Sequence, residues 1–566
     1  MTLRVLLTFA DPHQVLAISP YGLEILRGHL KAHGVPVDVQ ICNPFIEDLD
    51  PEKRLRQVLD EYRPHLVGFS LRNIDNSVVV VSATTPPDGS PCDVVNYMPA
   101  VRQLVRVARD WNADVPLVLG GAGFTSCPEA CLRYFDLDFG LIGPAEDAFR
   151  LLIEALISTG APYYQRVAEV LPTLPGAVYR ENATGTPSTR PGRLLRMRQD
   201  TFHLHAAQPR LAEEPAYTAE IAPEYRLFAK LMSLPIAIRT KTGCPMRCAY
   251  CTDPINMHRT SYRPLEHVIA DFAYYIETYD LHKFHIADAE VNLPKEDHLI
   301  SVCNALVSSG LAARQRWQGY FNIRPCSNNL IDALLRSHCA RPAFSVDSFD
   351  DRILKAHQKN YTMAHVTDVL GRLLARNDGS MKPSLSILFG EPGETLETIR
   401  NTVSWMKHYA DLGVRLDYSC GLRVYPNTPL ALRPEFETRH LFTRPGVRLD
   451  IRPTREGFVM PPDSLSLLET VVYCSPMPPR ELAAYLAHEF AGYPNIDVLK
   501  EGVITEDGLP THIRHFNVGV YHLAHGNYEK AHTLLKTSYR LNSEYKPVLK
   551  ALDLLAQVDY IMPQAA

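Results

Sequence analysis

Three cysteines fall within eight residues of "RTKTGCPMRCAYCTDP". They are Cys244, Cys248 and Cys251, spaced C-x3-C-x2-C with Tyr250 inside the last interval. Thiols this close in an intracellular chain are metal or redox ligands rather than halves of a disulfide framework. Two chemistries fit the count. A structural zinc ion takes four protein ligands, and His258 would supply the fourth in C-x3-C-x2-C-x6-H. A cubane iron–sulfur cluster held by three thiolates leaves one iron open to a substrate or cofactor, and that vacancy would explain the missing fourth cysteine. The remaining cysteines are isolated or, like Cys127 and Cys131 at C-x3-C, read as buried small residues at a helix start.

Three ligands on one loop need a rigid support. The loop follows the apolar run "PIAIRT", and further strands are predicted at "KFHIAD", "RWQGYF", "PAFSVD", "PSLSILFG" and "LDYSCGLRVY" with amphipathic helices between them. This pattern predicts a partial (β/α)6 barrel over residues 231–453, with its site at the C-terminal ends of the strands. Residues 1–160 alternate strand and helix as well, which predicts a doubly wound, Rossmann-like α/β domain. Its ligand would lie beyond the strand ends, near Ser70 to Asn73, Gly120 to Gly123 and Gly143 to Glu146. Residues 161–230 read as a connector with a hairpin at "GAVYRENATGTP". Residues 454–566 read as a helical cap on the barrel that ends in one and a half helical-hairpin repeats.

The 566 residues carry a net charge of −5 with both signs mixed, and no run of about 20 apolar residues. Nucleic acid and membrane are therefore not expected partners. "MTLRVLLTFA" reads as a first strand rather than a signal peptide, and the cytoplasm is the expected location.

The cysteine motif, its aromatic residue and its place after the first strand of a partial barrel resemble the radical S-adenosylmethionine (SAM) superfamily. The resemblance implies a [4Fe-4S] cluster on Cys244, Cys248 and Cys251, SAM chelated by the open iron, and Tyr250 beside the SAM adenine. "FHIADAEVN" resembles the superfamily's acidic motif and places Asp288 and Glu290 near cluster and SAM. "FSVDSFDDRILKAHQKNYT" is similar to the fourth-strand segment that usually brings a glutamate to the SAM ribose, with Asp347 in its place. "LFGEPGETLETI" and "LRVYPNTPLA" resemble the fifth- and sixth-strand signatures of the branch with an N-terminal cobalamin domain. "ISPYGLEILRGHLKAHG", "LVLGGAGFTSCPEA" and "DFGLIGPAEDA" resemble that domain's loops, GPAE standing where the branch has GEGE. The implied cobalamin contacts are Ser70, Arg72, Gly120, Gly121, Gly143 and Glu146. A Rossmann-like domain for another nucleotide is the alternative for this domain alone.

Within this cobalamin-dependent branch, "DPHQVL" offers Asp11 and His13 but has Leu16 where a cobalt-ligating motif needs glycine, so His13 is not expected to be a ligand. Arg72 is expected at the lower face of the corrin. A guanidinium has no lone pair to donate and would disfavour a lower axial ligand; a surface or phosphate-contacting arginine is the alternative. Glu290 would be a carboxylate near the open iron, or else a partner of a lysine or arginine. Tyr320 would take a proton from substrate, or else only pack. The resemblance implies methyl transfer from SAM through methylcobalamin to a small-molecule carbon, in natural products such as antibiotics. The indole C2 of tryptophan, methylated by a polar route, is the expected acceptor, with radical methylation of an unactivated carbon or phosphorus as the alternative. A flavodoxin or ferredoxin would serve as electron donor.

Overall fold

The computed structural model describes residues 2–12, 14–75, 96–159, 163–180, 202–204, 218–252, 260–425, 428–431, 441–442, 452–454, 457–459, 471–498 and 509–561. His13 and His258 lie outside the described residues.

Seven strands form the first sheet: β1 (Leu3–Phe9), β2 (Val37–Cys42), β3 (Leu66–Ser70), β4 (Leu117–Gly120), β5 (Phe139–Leu141), β6 (Ala177–Arg180) and β7 (Phe202–Leu204). They run in the order β2-β1-β3-β4-β5-β6-β7, and the first five are parallel. Their near-continuous Val, Leu and Phe content follows from burial on both faces: one apolar cluster centres on Leu6, Val67 and Leu119, and a second on Val5, Leu7 and Val118. Helices on both faces give the doubly wound arrangement expected. The chain leaves β1 toward β2 on one side and β3 lies on the other, so the crevice between β1 and β3 is the switch point at which such sheets bind ligands. β6 and β7 pair antiparallel onto β5, so part of the segment read as a connector extends this sheet. They are too short to show a period of their own.

The second sheet begins at β8 (Ile236–Ile238). The antiparallel pair β9 (Lys241–Thr242) and β10 (Ser261–Tyr262) then closes the neck of the cysteine loop. β11 (Lys283–Ile286), β12 (Arg316–Phe321), β13 (Cys339–Asp347), β14 (Ser384–Phe389) and β15 (Arg415–Cys420) follow, each parallel to the one before it in the sheet. Helix starts between them are fixed by side-chain caps: Ser327 accepts from the Leu330 N–H and Thr395 from the Thr398 N–H. β16 (Leu422–Arg423), β17 (Leu441–Phe442) and a later strand make a small sheet. β18 (Arg452–Thr454) pairs with β19 (Gly457–Val459), and the later strand is β20 (Val472–Tyr473). Finally β21 (Ile496–Val498) adds a seventh parallel strand beside β15, so the tail contributes to the barrel sheet as well as capping it.

The terminal helices Thr511–Ala524 and Tyr528–Leu541 form a hairpin that joins the apolar cluster of the barrel and also reaches the first domain. It packs into the seam between the two large domains. Asn517 donates from Nδ2 to the Gln14 carbonyl, Arg514 to the Leu49 carbonyl and Arg54 to the Tyr521 hydroxyl, while Phe516 packs edge-on against Phe228. A single hairpin cannot bury its apolar face alone, and the seam supplies the missing partner.

Candidate active site between the two domains

The crevice at the carboxyl ends of β1, β3 and β4 has a volume of about 180 Å³ and an apolar floor that includes Leu7, Leu23 and Val118. Its rim carries Ser70, Gly120, Gly121, Gly143 and Glu146, five of the residues expected to hold cobalamin. Gly121 is required there. Its φ is +99°, and a Cβ would sit 2.4 Å from the Leu71 carbonyl oxygen. A glycine-rimmed apolar slot suits the narrow tail of a cofactor that must run close to backbone. Arg72, just past β3, points its guanidinium toward Asp11 past β1, with Nη1 3.5 Å from Oδ2. Its carbonyl is pinned by the Gly123 N–H at 2.9 Å, and the side chain stays half exposed above the strand ends.

Glu146 opens the helix Glu146–Thr159 and turns to the barrel, where its Oε1 meets Arg239 Nη1 at 2.7 Å. Arg239 follows β8 immediately before the cysteine loop. Its N–H donates to the Tyr21 hydroxyl, and its carbonyl accepts from Arg263. A second interdomain contact lies nearby: Arg423 Nε donates to Asp75 Oδ2 at 2.6 Å and the Tyr425 hydroxyl to Asp75 Oδ1 at 3.0 Å. These contacts close a cavity of about 320 Å³ whose walls come from both domains, including Gly121, Thr125 and Gly143 on one side and Lys241, Cys244 and Asp288 on the other. The glycine-rimmed crevice and the cysteine loop thus face one space.

Asp288, past β11, holds the base of the cysteine loop. Oδ1 accepts the N–H groups of Thr240 and Lys241 at 2.9 and 3.1 Å, and Oδ2 accepts the Thr240 hydroxyl at 2.6 Å. Its oxygens are therefore committed to the loop. Further along, the Cys251 N–H bonds to the Cys248 carbonyl, while Ala249 is stitched to His357 and Leu430 through its N–H and carbonyl. Cys244 is buried, and Cys248 and Cys251 are partly open. Burial pushes the Cys248 thiol up to about 11, so a bound metal must supply the positive charge that favours the thiolate. A cubane receives its thiolates at three separate corners, and three soft sulfur donors on one loop fit that group.

Tyr250, Asp347 and Lys359 form a buried triad beside the loop. The Tyr250 hydroxyl donates to Asp347 Oδ2 at 2.6 Å, Lys359 Nζ lies 2.6 Å from the same oxygen, and Lys359 also donates to the Tyr250 hydroxyl at 3.1 Å. Burial alone would lower the Lys359 pKa, but the Asp347 carboxylate overrides it and raises that pKa well above the usual range. Asp347 sits at φ +67°, a conformation a side chain accepts only when its surroundings fix it. Oδ2, at least, therefore serves to hold Tyr250. Lys359 lies inside the quoted "AHQKNYT", yet nothing in its spacing announces this pairing. Arg239 was likewise not singled out in the sequence, because its partner is 93 positions away.

Glu290 lies within electrostatic reach of Cys248, Asp347 and Lys359. Its Oε2 is sealed from solvent and lacks a hydrogen-bond partner among the described residues, and burial pushes its carboxyl up to about 7 against the pull of Lys359. Opposite, His357 Nε2 lies 3.2 Å from Glu391 Oε2 in a fully buried pair. Tyr320 is on β12 between Gly319 and Phe321. Trp317 and Phe321 face the helices in the core, so Tyr320 points into the barrel lumen, where it is 47 % exposed and its ring meets His285 edge-on at 5.3 Å.

Two family descriptions match this architecture. A B12 binding domain covers residues 15–153, and the radical SAM superfamily covers residues 238–406. The chain belongs to the cobalamin-dependent radical SAM methyltransferases, whose cofactors are a [4Fe-4S] cluster, cobalamin and SAM. Among individual proteins, it is 27% identical over 460 residues to a tryptophan 2-C-methyltransferase of Streptomyces laurentii, covering 74% of this chain and 73% of that one. An uncharacterized methyltransferase of Pyrococcus horikoshii is 23% identical over 391 residues, covering 69% of this chain and 73% of that one. Its fold is shared by the radical SAM methyltransferase TsrM of Kitasatospora setae, solved with tryptophan and a SAM analogue bound. That likeness has a TM-score of 0.69 at 21% identity, over 94% of this chain and 99% of that one. The cobalamin-dependent SAM radical enzyme OxsB aligns with a TM-score of 0.61 at 14% identity, over 99% and 75%. Among the described residues no helix is long and apolar enough to cross a membrane.

Proposed function

We propose that this methyltransferase acts on C2 of tryptophan, or of a close tryptophan analogue, by a polar route. The observation that carries the reading is Glu290, a half-buried residue whose Oε2 is sealed and without a hydrogen-bond partner among the described residues, within electrostatic reach of Cys248. Similarity to a tryptophan 2-C-methyltransferase supports the choice of substrate. SAM and cobalamin, when bound, supply an electrophilic methyl group within the shared cavity.

The chain's own residues then have separable tasks. Cys244, Cys248 and Cys251 would hold the cluster, and Glu290 would add a carboxyl within electrostatic reach of that loop. Gly120, Gly121 and Gly143 let the corrin approach the strand ends, while Ser70 lines the crevice beneath. Arg72, oriented by Asp11 at 3.5 Å, presents a group that cannot ligate cobalt. Tyr320, in the lumen beside His285 and open to solvent, would accept a hydrogen bond from the indole N–H and relay to solvent the proton released on methylation. The Tyr250–Asp347–Lys359 triad keeps the loop in shape and places the Tyr250 ring for the adenine. A flavodoxin or ferredoxin as electron donor, and a place in antibiotic biosynthesis, belong to the same reading.

The test is anaerobic incubation of the reconstituted enzyme with SAM, a reductant and tryptophan, quantifying 2-methyltryptophan and 5′-deoxyadenosine together. Methylated product without matching deoxyadenosine is expected. One deoxyadenosine per methyl transferred would replace the polar route with a radical one, and no methylated tryptophan would remove the substrate.

A further inference from the structure

Interiors of (β/α) barrels are normally packed with branched apolar side chains. This lumen is not. With Phe284, Ile286, Leu385 and Ile387 turned outward into the core, the alternate positions on the same strands turn inward, and these are His285 and Ser386. By the same alternation Arg341 and Ser345 on β13, and Asp417 between the outward Leu416 and Tyr418 on β15, also face the lumen. All five are half-buried, so the lumen is not closed by an apolar plug at these positions.

The polar groups at its centre each keep one atom without a partner. His285 Nδ1, Arg341 Nε and Asp417 Oδ1 are each sealed from solvent and without a hydrogen-bond partner among the described residues. Asp417 and His285 both lie within electrostatic reach of Arg341, yet neither Arg341 nor Asp417 belongs to an ion pair there. Asp417 is oriented by a hydrogen bond from Ser386, its neighbour across the β14–β15 ladder. Orphaned buried polar atoms are costly, and in a native fold they point to a group that arrives later. Arg415 also reaches Asp417 but is paired with Asp497, so Arg341 and Asp417, held apart with small serines around them, leave room for a ligand that carries both opposite charges.

Resting on the reading that the substrate is an amino acid of tryptophan type, we propose that the lumen binds the substrate's zwitterionic head. Arg341 receives its α-carboxylate and Asp417 its α-ammonium, with neutral His285 completing the polar floor. Burial and the nearby Arg341 hold His285 down at about 4, so it remains uncharged near neutrality. Tyr320 stands on the same inner surface, so a head anchored among these residues turns the indole toward the groups that act on it.

The experiment is calorimetric titration of the reconstituted holoenzyme with L-tryptophan, tryptamine and indole-3-propionate, alongside methylation of tryptophan. Wild type is expected to bind tryptophan at least about tenfold more tightly than either analogue, as loss of one charge-assisted contact implies. Arg341→Gln is expected to weaken tryptophan and indole-3-propionate about tenfold and leave tryptamine unchanged. Asp417→Asn is expected to weaken tryptophan and tryptamine and leave indole-3-propionate unchanged. Equal affinity of wild type for all three ligands overturns the proposal whether or not the variants fold. If tryptophan is methylated without charge discrimination, the head-group site fails and the substrate reading stands. If the discrimination holds but tryptophan is not methylated, the substrate reading fails and the head-group site stands. Binding of none of the three removes both.

Discussion

Glu146 Oε1 and Arg239 Nη1 meet at 2.7 Å across the interface of the two domains, each side chain nearly buried. One residue rims the glycine-lined crevice, and the other stands just before the cysteine loop. The ion pair therefore ties the two candidate cofactor sites together. Removing one partner leaves a buried charge uncompensated. Glu146→Gln is expected to destabilise the protein by about 3 kcal/mol and to weaken cobalamin retention on gel filtration. A double-mutant cycle with Arg239→Met is expected to recover part of the loss, because it removes both charges. Strict additivity of the two changes would mean that the pair does not couple the domains.

The Tyr250–Asp347–Lys359 triad makes a parallel claim about the cluster loop. Lys359→Met strands the Asp347 carboxylate beside Tyr250, in a site where both charged side chains are almost fully buried. A loss of about 3 kcal/mol is expected, together with less iron per chain after reconstitution, measured colorimetrically. Unchanged iron content with lowered stability would confine the triad to a purely structural role.

Gly121 and Gly22 both line the cobalamin crevice, yet they make opposite demands. At Gly121, φ is +99° and a Cβ would strike the Leu71 carbonyl at 2.4 Å; at Gly22 a Cβ meets nothing within 4 Å. Gly121→Ala is expected to cost about 2 kcal/mol or more and to abolish cobalamin binding. Gly22→Ala is expected to stay within about 0.5 kcal/mol of wild type. Equal cobalamin affinity in both variants, followed by absorbance titration, would show that the crevice is not the corrin site.

Stability is expected to fall in mild acid. Burial, helped by Lys530, holds His522 down at about 4, from an ordinary value of 6.5, in the helix that bridges the domains. Because the folded pKa is depressed, the unfolded chain takes up a proton first as pH drops. Stability is therefore full above about 6.5 and is lost as pH falls from there toward 4, by at most about 3 kcal/mol from this residue. Thermal melts across that range are expected to show the decline, and His522→Gln to flatten part of it. An identical slope in the variant would assign the acid sensitivity elsewhere.

What could be read in the sequence was whatever is local. The three cysteines, the glycines at the ends of β4 and β5, and the alternation of apolar strands with amphipathic helices each signal within a dozen residues. They announce two α/β domains and the succession of strands along the chain, while the order of those strands within each sheet comes from the fold. Pairings between distant positions left no such trace. Glu146 was legible as a strand-end residue of the first domain but not as the partner of Arg239, and Asp347 as a carboxylate near the cofactor but not as the anchor of Lys359 and Tyr250. β6, β7 and β21 are three or four residues long and carry no period, so their addition to the two sheets emerges only from tertiary pairing. The terminal hairpin was visible as a hairpin. Its seat on Gln14 and Leu49 depends on surface complementarity that no pattern of spacing encodes.

The central claim is that one loop holds a cluster by three cysteines while a separate crevice, facing the same cavity, holds cobalamin. Metal and cobalamin content, measured together on anaerobically reconstituted wild type and Cys251→Ala, tests it most directly. Wild type is expected to carry about four irons and one cobalamin per chain, and Cys251→Ala to lose iron while keeping its cobalamin. A wild-type protein that takes up zinc in place of iron, or that binds no cobalamin, would contradict it.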